Sequence, residues 1–252
     1  MAYIDTHCHL PENYFYKTME THVNQWKRQD IAFVVSVSQT YNESLRSLEI
    51  AEKYSEIIPA VGIHPWKAHK REHEVEDFEK LITKKKEIQI LGEIGLDYHF
   101  ISQKEFYSTQ QRILRFFFKK AEKNDLKLML HVKGAEPDIV NFIESSTIPG
   151  NHCCIHWFSG SFQTLKKLVD LDCYFSCGPA LRYSKVHQEV PKVVPLNRLL
   201  SESDGNVKYK GEIGHPGLIP KVIDLIADIL NQKPNNVRDI IFQNSLEYLD
   251  MK

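Results

Sequence analysis

Eight short apolar runs recur along the chain, each separated from the next by a longer stretch of mixed polarity. The runs fall at 3–8, 31–38, 57–63, 88–94, 127–131, 153–156, 173–176 and 198–203. Several are rich in Val, Ile, Leu and Phe, as strands buried on both faces of a parallel sheet are. The run at 127–131 is ambiguous by periodicity alone, and its place in the alternation makes it a strand. Between the runs, segments 12–28, 42–54, 75–84, 105–123, 138–143, 161–169 and 184–194 carry the pattern of amphipathic helices. Two more helices are expected after the eighth run. One is 218–230, with Ile219, Val222, Ile223, Ile226 and Ile229 on one stripe; the other is 235–249, with Asn235 after Pro234 as its cap. This alternation predicts an α/β fold, a single-domain (β/α)₈ TIM barrel over 1–252, and the length is the usual one for that architecture. The competing architecture, an open doubly wound sheet, lacks its Gly-rich turn after the first strand, where Cys8-His9-Leu10-Pro11 stands.

Composition narrows the function classes. With 42% hydrophobic and 26% charged residues the chain is ordinary globular protein, neither disordered nor fibrous. No apolar run reaches the roughly 20 residues that span a bilayer. The start, Met1-Ala2-Tyr3-Ile4-Asp5, shows no basic and apolar leader, so a cytoplasmic protein without a membrane partner is expected. Thirty-two basic residues against 33 acidic ones exclude a broad basic surface for nucleic acid. A small nucleic-acid substrate held at a metal site needs no such surface, because the cation brings its own charge. The basic run Lys84, Lys85 and Lys86 reads as a solvated helix end. Five cysteines, at 8, 153, 154, 173 and 177, form no CxxC pair and read as buried thiols of a reducing compartment.

The chemistry gathers at strand ends. The first strand ends in Asp5-Thr6-His7-Cys8-His9, and residues i and i+2 of a strand face the same side. His7 and His9 together suit a divalent metal better than a packed core. Glu93 lies in a run that is otherwise buried, and a buried carboxylate needs a cationic partner. His131, His156 and Asp204 close the fifth, sixth and eighth runs. Singly, each has an ordinary structural reading as a bonded core histidine, a helix cap or an ion pair. Jointly, four His, one Glu and one Asp fall on five strand ends, the face that carries the active site in a barrel of this type. Six donors exceed what one metal in an open catalytic site needs and suit two metals sharing a carboxylate. Their mixture of nitrogen and oxygen suits Zn²⁺ or Mn²⁺ better than Ca²⁺, with Mg²⁺ also considered.

These residues resemble the TatD family of metal-dependent deoxyribonucleases, within the wider amidohydrolase-like barrels. The matching segments are Asp5-Thr6-His7-Cys8-His9, Gly62-Ile63-His64-Pro65, Gly92-Glu93-Ile94-Gly95-Leu96-Asp97-Tyr98, His131, His156-Trp157-Phe158-Ser159-Gly160 and Glu202-Ser203-Asp204, with Gln243-Asn244 in the last helix. The resemblance implies that His7, His9, Glu93 and Asp204 hold one divalent ion, and that Glu93 bridges to a second held by His131 and His156. It implies that Asp204 orients or deprotonates the attacking water, and that His64 and Lys133 face a substrate phosphate. Lys133 stands where the family usually has Arg, Gly134 where it has an acid, and Ser203 where it has Thr. Gly205-Asn206-Val207-Lys208-Tyr209 replaces the usual apolar-Pro segment beside the site. Lys lacks the planar fork of Arg, so it binds phosphate with looser geometry.

DNA, as single strands or 3′ ends, is the expected substrate, and Trp66, Trp157, Phe158 and Tyr98 are candidate stacking partners for its bases. The same donors could equally hydrolyse an acyl, lactone or aminoacyl-tRNA ester. Cations near the site, Lys133 and His64 with Lys185 as a further candidate, favour the phosphodiester. A non-catalytic interaction barrel would show lost donors, and all six are present.

Overall fold

The computed structural model describes residues 2–251. Eight strands form one parallel sheet in chain order: β1 (Tyr3–Cys8), β2 (Ile31–Ser36), β3 (Ile57–Val61), β4 (Ile90–Asp97), β5 (Lys127–Lys133), β6 (Cys153–His156), β7 (Tyr174–Cys177) and β8 (Leu199–Ser201). Helices follow the strands, as the alternation predicts for a (β/α)₈ barrel. The seam between first and last strands is stitched by side chains and by backbone beyond β8. Thr6 Oγ1 donates to the Ser201 carbonyl at 3.0 Å, and Ser201 Oγ to the Ile4 carbonyl at 2.9 Å. The Asp204 amide donates to the His7 carbonyl at 3.0 Å, and the His9 amide to the Gly205 carbonyl at 2.6 Å. Asp5, fully buried, accepts from the Ser203 amide at 2.9 Å and from its hydroxyl at 2.5 Å. The expected site residues of β1 and of the segment after β8 are therefore held in one register.

Every barrel strand gives one side chain to an inner apolar layer: Ile4, Val35, Ala60, Ile90, Met129, Cys154, Tyr174 and Leu200. Tyr248, from the last helix, joins this layer and donates to the Leu128 carbonyl at 3.1 Å. A second, larger apolar layer packs the outer face of the sheet against the helices. Burying apolar area in both layers is the main stabilising term, at roughly 25 cal/mol per Å². With this layer filled by apolar side chains, the polar residues of the strands gather at the C-terminal ends.

Departures from the sequence expectation are local. β4 runs on to Asp97, beyond the expected end, while β2, β3 and β8 stop short of theirs. The first long helical segment is two helices, Asn13–Tyr16 and Met19–Lys27. The last helix is Pro234–Tyr248 with Lys233 as its cap, not Asn235, because the fixed φ of proline suits the first helical position. A small hairpin, β9 (Lys208–Tyr209) with β10 (Glu212–Ile213), was not anticipated. The five cysteines are buried free thiols, and Lys84, Lys85 and Lys86 are exposed. Among the described residues no helix is long and apolar enough to cross a membrane.

β4 and β5 approach each other closely at Gly95, whose φ is +152°. A Cβ there would lie 1.9 Å from the His131 carbonyl oxygen. Gly95→Ala should therefore destabilise the protein by about 2 kcal/mol or more, because strain and overpacking add. Denaturant unfolding measures it; an unchanged midpoint would contradict this close approach.

Candidate active site

All six expected donors arrive at one end of the barrel. His7 and His9 come from the end of β1, Glu93 from β4, His131 from β5, His156 from the last position of β6, and Asp204 from the segment after β8. His131 and His156 are register partners across β5 and β6. Trp157 and Asp204 both take φ of +45°, conformations uncommon for any residue but Gly and least expected of a bulky Trp. The chain turns sharply there, directly after His156 and after Ser203.

Glu93 is the centre of the group, and its two oxygens face different partners. Oε2 lies 3.4 Å from both His7 Nε2 and His9 Nε2. Asp204 Oδ1 closes that side, 3.7 Å from His7 Nε2 and 3.4 Å from His9 Nε2. Oε1 lies 2.8 Å from His131 Nδ1, 3.1 Å from His64 Nε2 and 3.8 Å from His156 Nε2. The rings of His7 and His156 stack at 3.7 Å.

The first side fits a divalent ion. A tetrahedral ion with bonds of about 2.0–2.1 Å needs donors about 3.4 Å apart, close to the separations found. His7 Nε2, Glu93 Oε2 and Asp204 Oδ1 are buried with no hydrogen-bond partner among the described residues. Three such atoms facing one point is costly in a protein interior unless something polar joins them. His7, His9 and Asp204 also form a compact set of buried donors, and His64, Glu93 and His131 another.

The electrostatics agree. Burial works against charge on every one of these groups, yet the carboxylates stay ionised and raise His9, His131 and His156. The histidines around Glu93 keep its carboxyl well below the usual range despite burial. Burial opposes a charge on His9, but the Asp204 bond and Glu93 lift it to about 9. For His156 the neighbouring Glu202 and Asp204 overcome burial and lift it to about 10. His7 goes the other way, lowered by burial and by His156 stacked upon it. Protons on these rings supply positive charge of the kind a bound cation would bring, and binding a cation releases them.

A family model described as "TatD related DNase" matches residues 4–250. The chain belongs to the TatD family. It is 26% identical to the "uncharacterized metal-dependent hydrolase MJ1582" of Methanocaldococcus jannaschii, over 98% of this chain and 97% of that protein. It is 28% identical to the "uncharacterized metal-dependent hydrolase MG009" of Mycoplasma genitalium, over 97% of this chain and 98% of that protein. The fold matches the crystal structure of YjjV, a TatD homologue from Escherichia coli K12, with a TM-score of 0.89 and 23% identity over 98% and 97% of the two chains.

Against this TatD frame the structure adds two carboxylates that spacing alone did not single out. Asp97 Oδ2 lies 2.9 Å from His131 Nε2, and Glu202 Oε2 lies 2.7 Å from His156 Nδ1. Each engages the ring nitrogen turned away from Glu93, as partners that orient metal-binding histidines do. Ser176 donates a further short bond to Glu202, and Trp66 Nε1 donates to Asp97 Oδ2 at 2.6 Å. Both acids stand inside the family segments of the sequence, and their bond partners become visible only in three dimensions.

His64, expected at a substrate phosphate, lines the cleft beside Glu93 and is buried. Its Nδ1 accepts the Trp66 amide at 3.1 Å, so Nε2 carries the proton that faces Glu93. Burial pushes its pKa down to about 4, in keeping with that neutral ring. Lys133 reaches the cleft wall, donating to Ser159 Oγ at 2.5 Å. The cleft over the donors has a volume of about 470 Å³. Trp66 and Trp157 line it, whereas Phe158 is buried and the Tyr98 hydroxyl is spent on Asp138 at 2.7 Å. Lys185 is exposed at the start of the helix Lys185–Val193 and is not among the cleft-lining residues. The altered segment after Asp204 leads into the β9–β10 hairpin and buries Tyr209, whose ring stacks on Trp157 at 5.2 Å. His187, unremarked in the sequence, also lines the cleft, with Nδ1 2.7 Å from Ser184 Oγ.

Asp97→Asn and Glu202→Gln should each weaken divalent-ion binding about 10- to 100-fold. Competition against a chromophoric chelator reads this directly, with circular dichroism as the check on folding. Wild-type affinity in both variants would remove these carboxylates from the role of orienting His131 and His156.

Proposed function

We propose that this protein is a divalent-metal-dependent hydrolase that cleaves DNA phosphodiester bonds, with single strands or 3′ ends favoured. The observation that carries the reading is a lysine, Lys133, in the wall of a cleft whose floor is the Glu93 donor cluster. A fixed cation beside hydrolytic donors suits an anionic substrate better than a neutral acyl group.

His7, His9, Glu93 and Asp204 would hold one ion, and Glu93, His131 and His156 a second, of Zn²⁺, Mn²⁺ or Mg²⁺. Such ions supply Lewis-acid polarisation of the phosphoryl group and lower the pKa of water. The remaining work falls to the chain. Lys133 binds a non-bridging phosphate oxygen and sets its orientation. Asp204, kept ionised by His156 and His9 against the effect of burial, is a base within the same cluster that can take a proton from water. His64 donates to Glu93 and so fixes the orientation of that carboxylate. Asp97 and Glu202 hold the rings of His131 and His156 in place. The cleft is of a size for about one nucleotide unit of an unpaired strand, whose bases and phosphates are both accessible.

The test is hydrolysis of an end-labelled single-stranded oligonucleotide, with and without chelator, beside elemental analysis of the protein. Cleavage should stop with chelator and return with added metal. Glu93→Ala should lose at least one bound ion per chain and activity with it; retained metal and rate would defeat the bridging assignment. Lys133→Ala should raise KM about tenfold or more, since a hydrogen bond to a charged group contributes about 1.5–3 kcal/mol, and Lys133→Arg should recover much of the loss. Hydrolysis of acyl or lactone esters without DNA cleavage would move the assignment to carbonyl chemistry at the same donors.

A further inference from the structure

Two large rings stand exposed at the edge of the cleft: Trp66, a stacking candidate from the sequence, and Phe100, which no reading above uses. Phe100 is 59% exposed and Trp66 is 38% exposed. They meet edge to face, with ring centres 5.3 Å apart, and both line the cleft. Single exposed apolar residues are common and need no explanation. A contiguous pair facing a hydrolytic cleft differs, because its apolar faces stay in water beside polar groups.

The pair is also fixed in place. Asp97 Oδ1 accepts the backbone amides of His99 at 2.9 Å and Phe100 at 2.7 Å. Its Oδ2 accepts Trp66 Nε1 at 2.6 Å and faces His131 Nε2 at 2.9 Å. One carboxylate therefore sets both the presentation of the aromatic rim and the orientation of a donor at Glu93. Asp97 is in turn the register partner of Lys133 across β4 and β5. A ligand that engages Lys133 with an anionic group thus has a rigid aromatic surface close by.

We propose that Trp66 and Phe100 form a roughly right-angled aromatic platform for the planar base of a nucleotide whose phosphate engages Lys133, the base stacking on one ring and meeting the edge of the other. Its nucleotide ligand deepens the phosphodiester reading above and rests on it for the place of the phosphate. Stacking on such a platform accepts any base, because every base has a π face. It adds affinity that a sugar phosphate without a base does not receive.

The metal-loaded protein is titrated calorimetrically with 2′-deoxyadenosine 5′-monophosphate and, separately, with 2-deoxyribose 5-phosphate. Wild type should bind the nucleotide about 5- to 100-fold more tightly, the range for one stacked base. Phe100→Ala should remove most of that ratio while leaving metal content and the sugar phosphate affinity as in wild type. Trp66→Leu should lower the ratio too, with a drop in metal affinity because its bond to Asp97 is lost, and quenching of tryptophan fluorescence by the nucleotide but not by the sugar phosphate, absent in Trp66→Leu, gives a second readout. Equal binding of the two ligands by wild type, binding of neither, or a full preference retained in Phe100→Ala overturns the platform. The oligonucleotide assay separates the two readings. Cleavage together with equal binding of the two ligands keeps the nuclease and removes the platform, and tighter nucleotide binding without cleavage does the reverse.

Discussion

A carboxylate buried at the centre of the barrel mouth governs the arrangement around it. Glu93 is 1% exposed, and an ionised acid in that position is tolerated only with positive charge on several sides. His9 supplies it toward one oxygen and His131 and His156 toward the other, while His7 packs beside the first and His64 meets the second as a neutral N–H donor. The histidines in turn would resist protonation in such burial without the acids. The cluster is a mutual compensation, and removing any member leaves its partners with uncompensated charge or unpaired nitrogen.

Around this centre lies a second ring of acids with a different task. Asp97 and Glu202 engage the outer nitrogens of His131 and His156. Asp5 plays a related part for the backbone, binding the Ser203 amide and hydroxyl, and so fixes the path that leads to Asp204. His131, His156 and the path to Asp204 are thus each held from behind. Such support makes a site rigid enough for the ångström-scale placement that hydrolysis requires.

The parallel barrel separates stability from specificity. An inner layer with one side chain from every strand, joined by Tyr248, and an outer layer under the helices carry the folding energy. The loops at the C-terminal ends are then free to vary. In this chain they hold a hairpin that sets Tyr209 against Trp157 and an exposed Phe100 beside Trp66, while the end of β5 places Lys133 in the cleft wall. These features give this member of the TatD family its own cleft around the donors of its family segments.

The strand count, the barrel and the gathering of six candidate donors at one end were legible in the sequence because each depends on short-range pattern. Apolar runs alternate with helical periodicity, and His7, His9, Glu93, His131, His156 and Asp204 fall at the ends of runs where a parallel barrel gathers its side chains. Element bounds were less legible: β4 extends to Asp97 because pairing with β5 continues past the apolar run. Only the tertiary structure decided which oxygen of Glu93 meets which ring, that His64 turns inward to it, and that Asp97 ties His131 to Trp66 and Phe100. These pairings join residues on different strands, and their geometry is set by register, barrel curvature and side-chain rotamers. None of these leaves a periodic trace along the chain, so spacing in the sequence determined the donors and packing in space determined their partners.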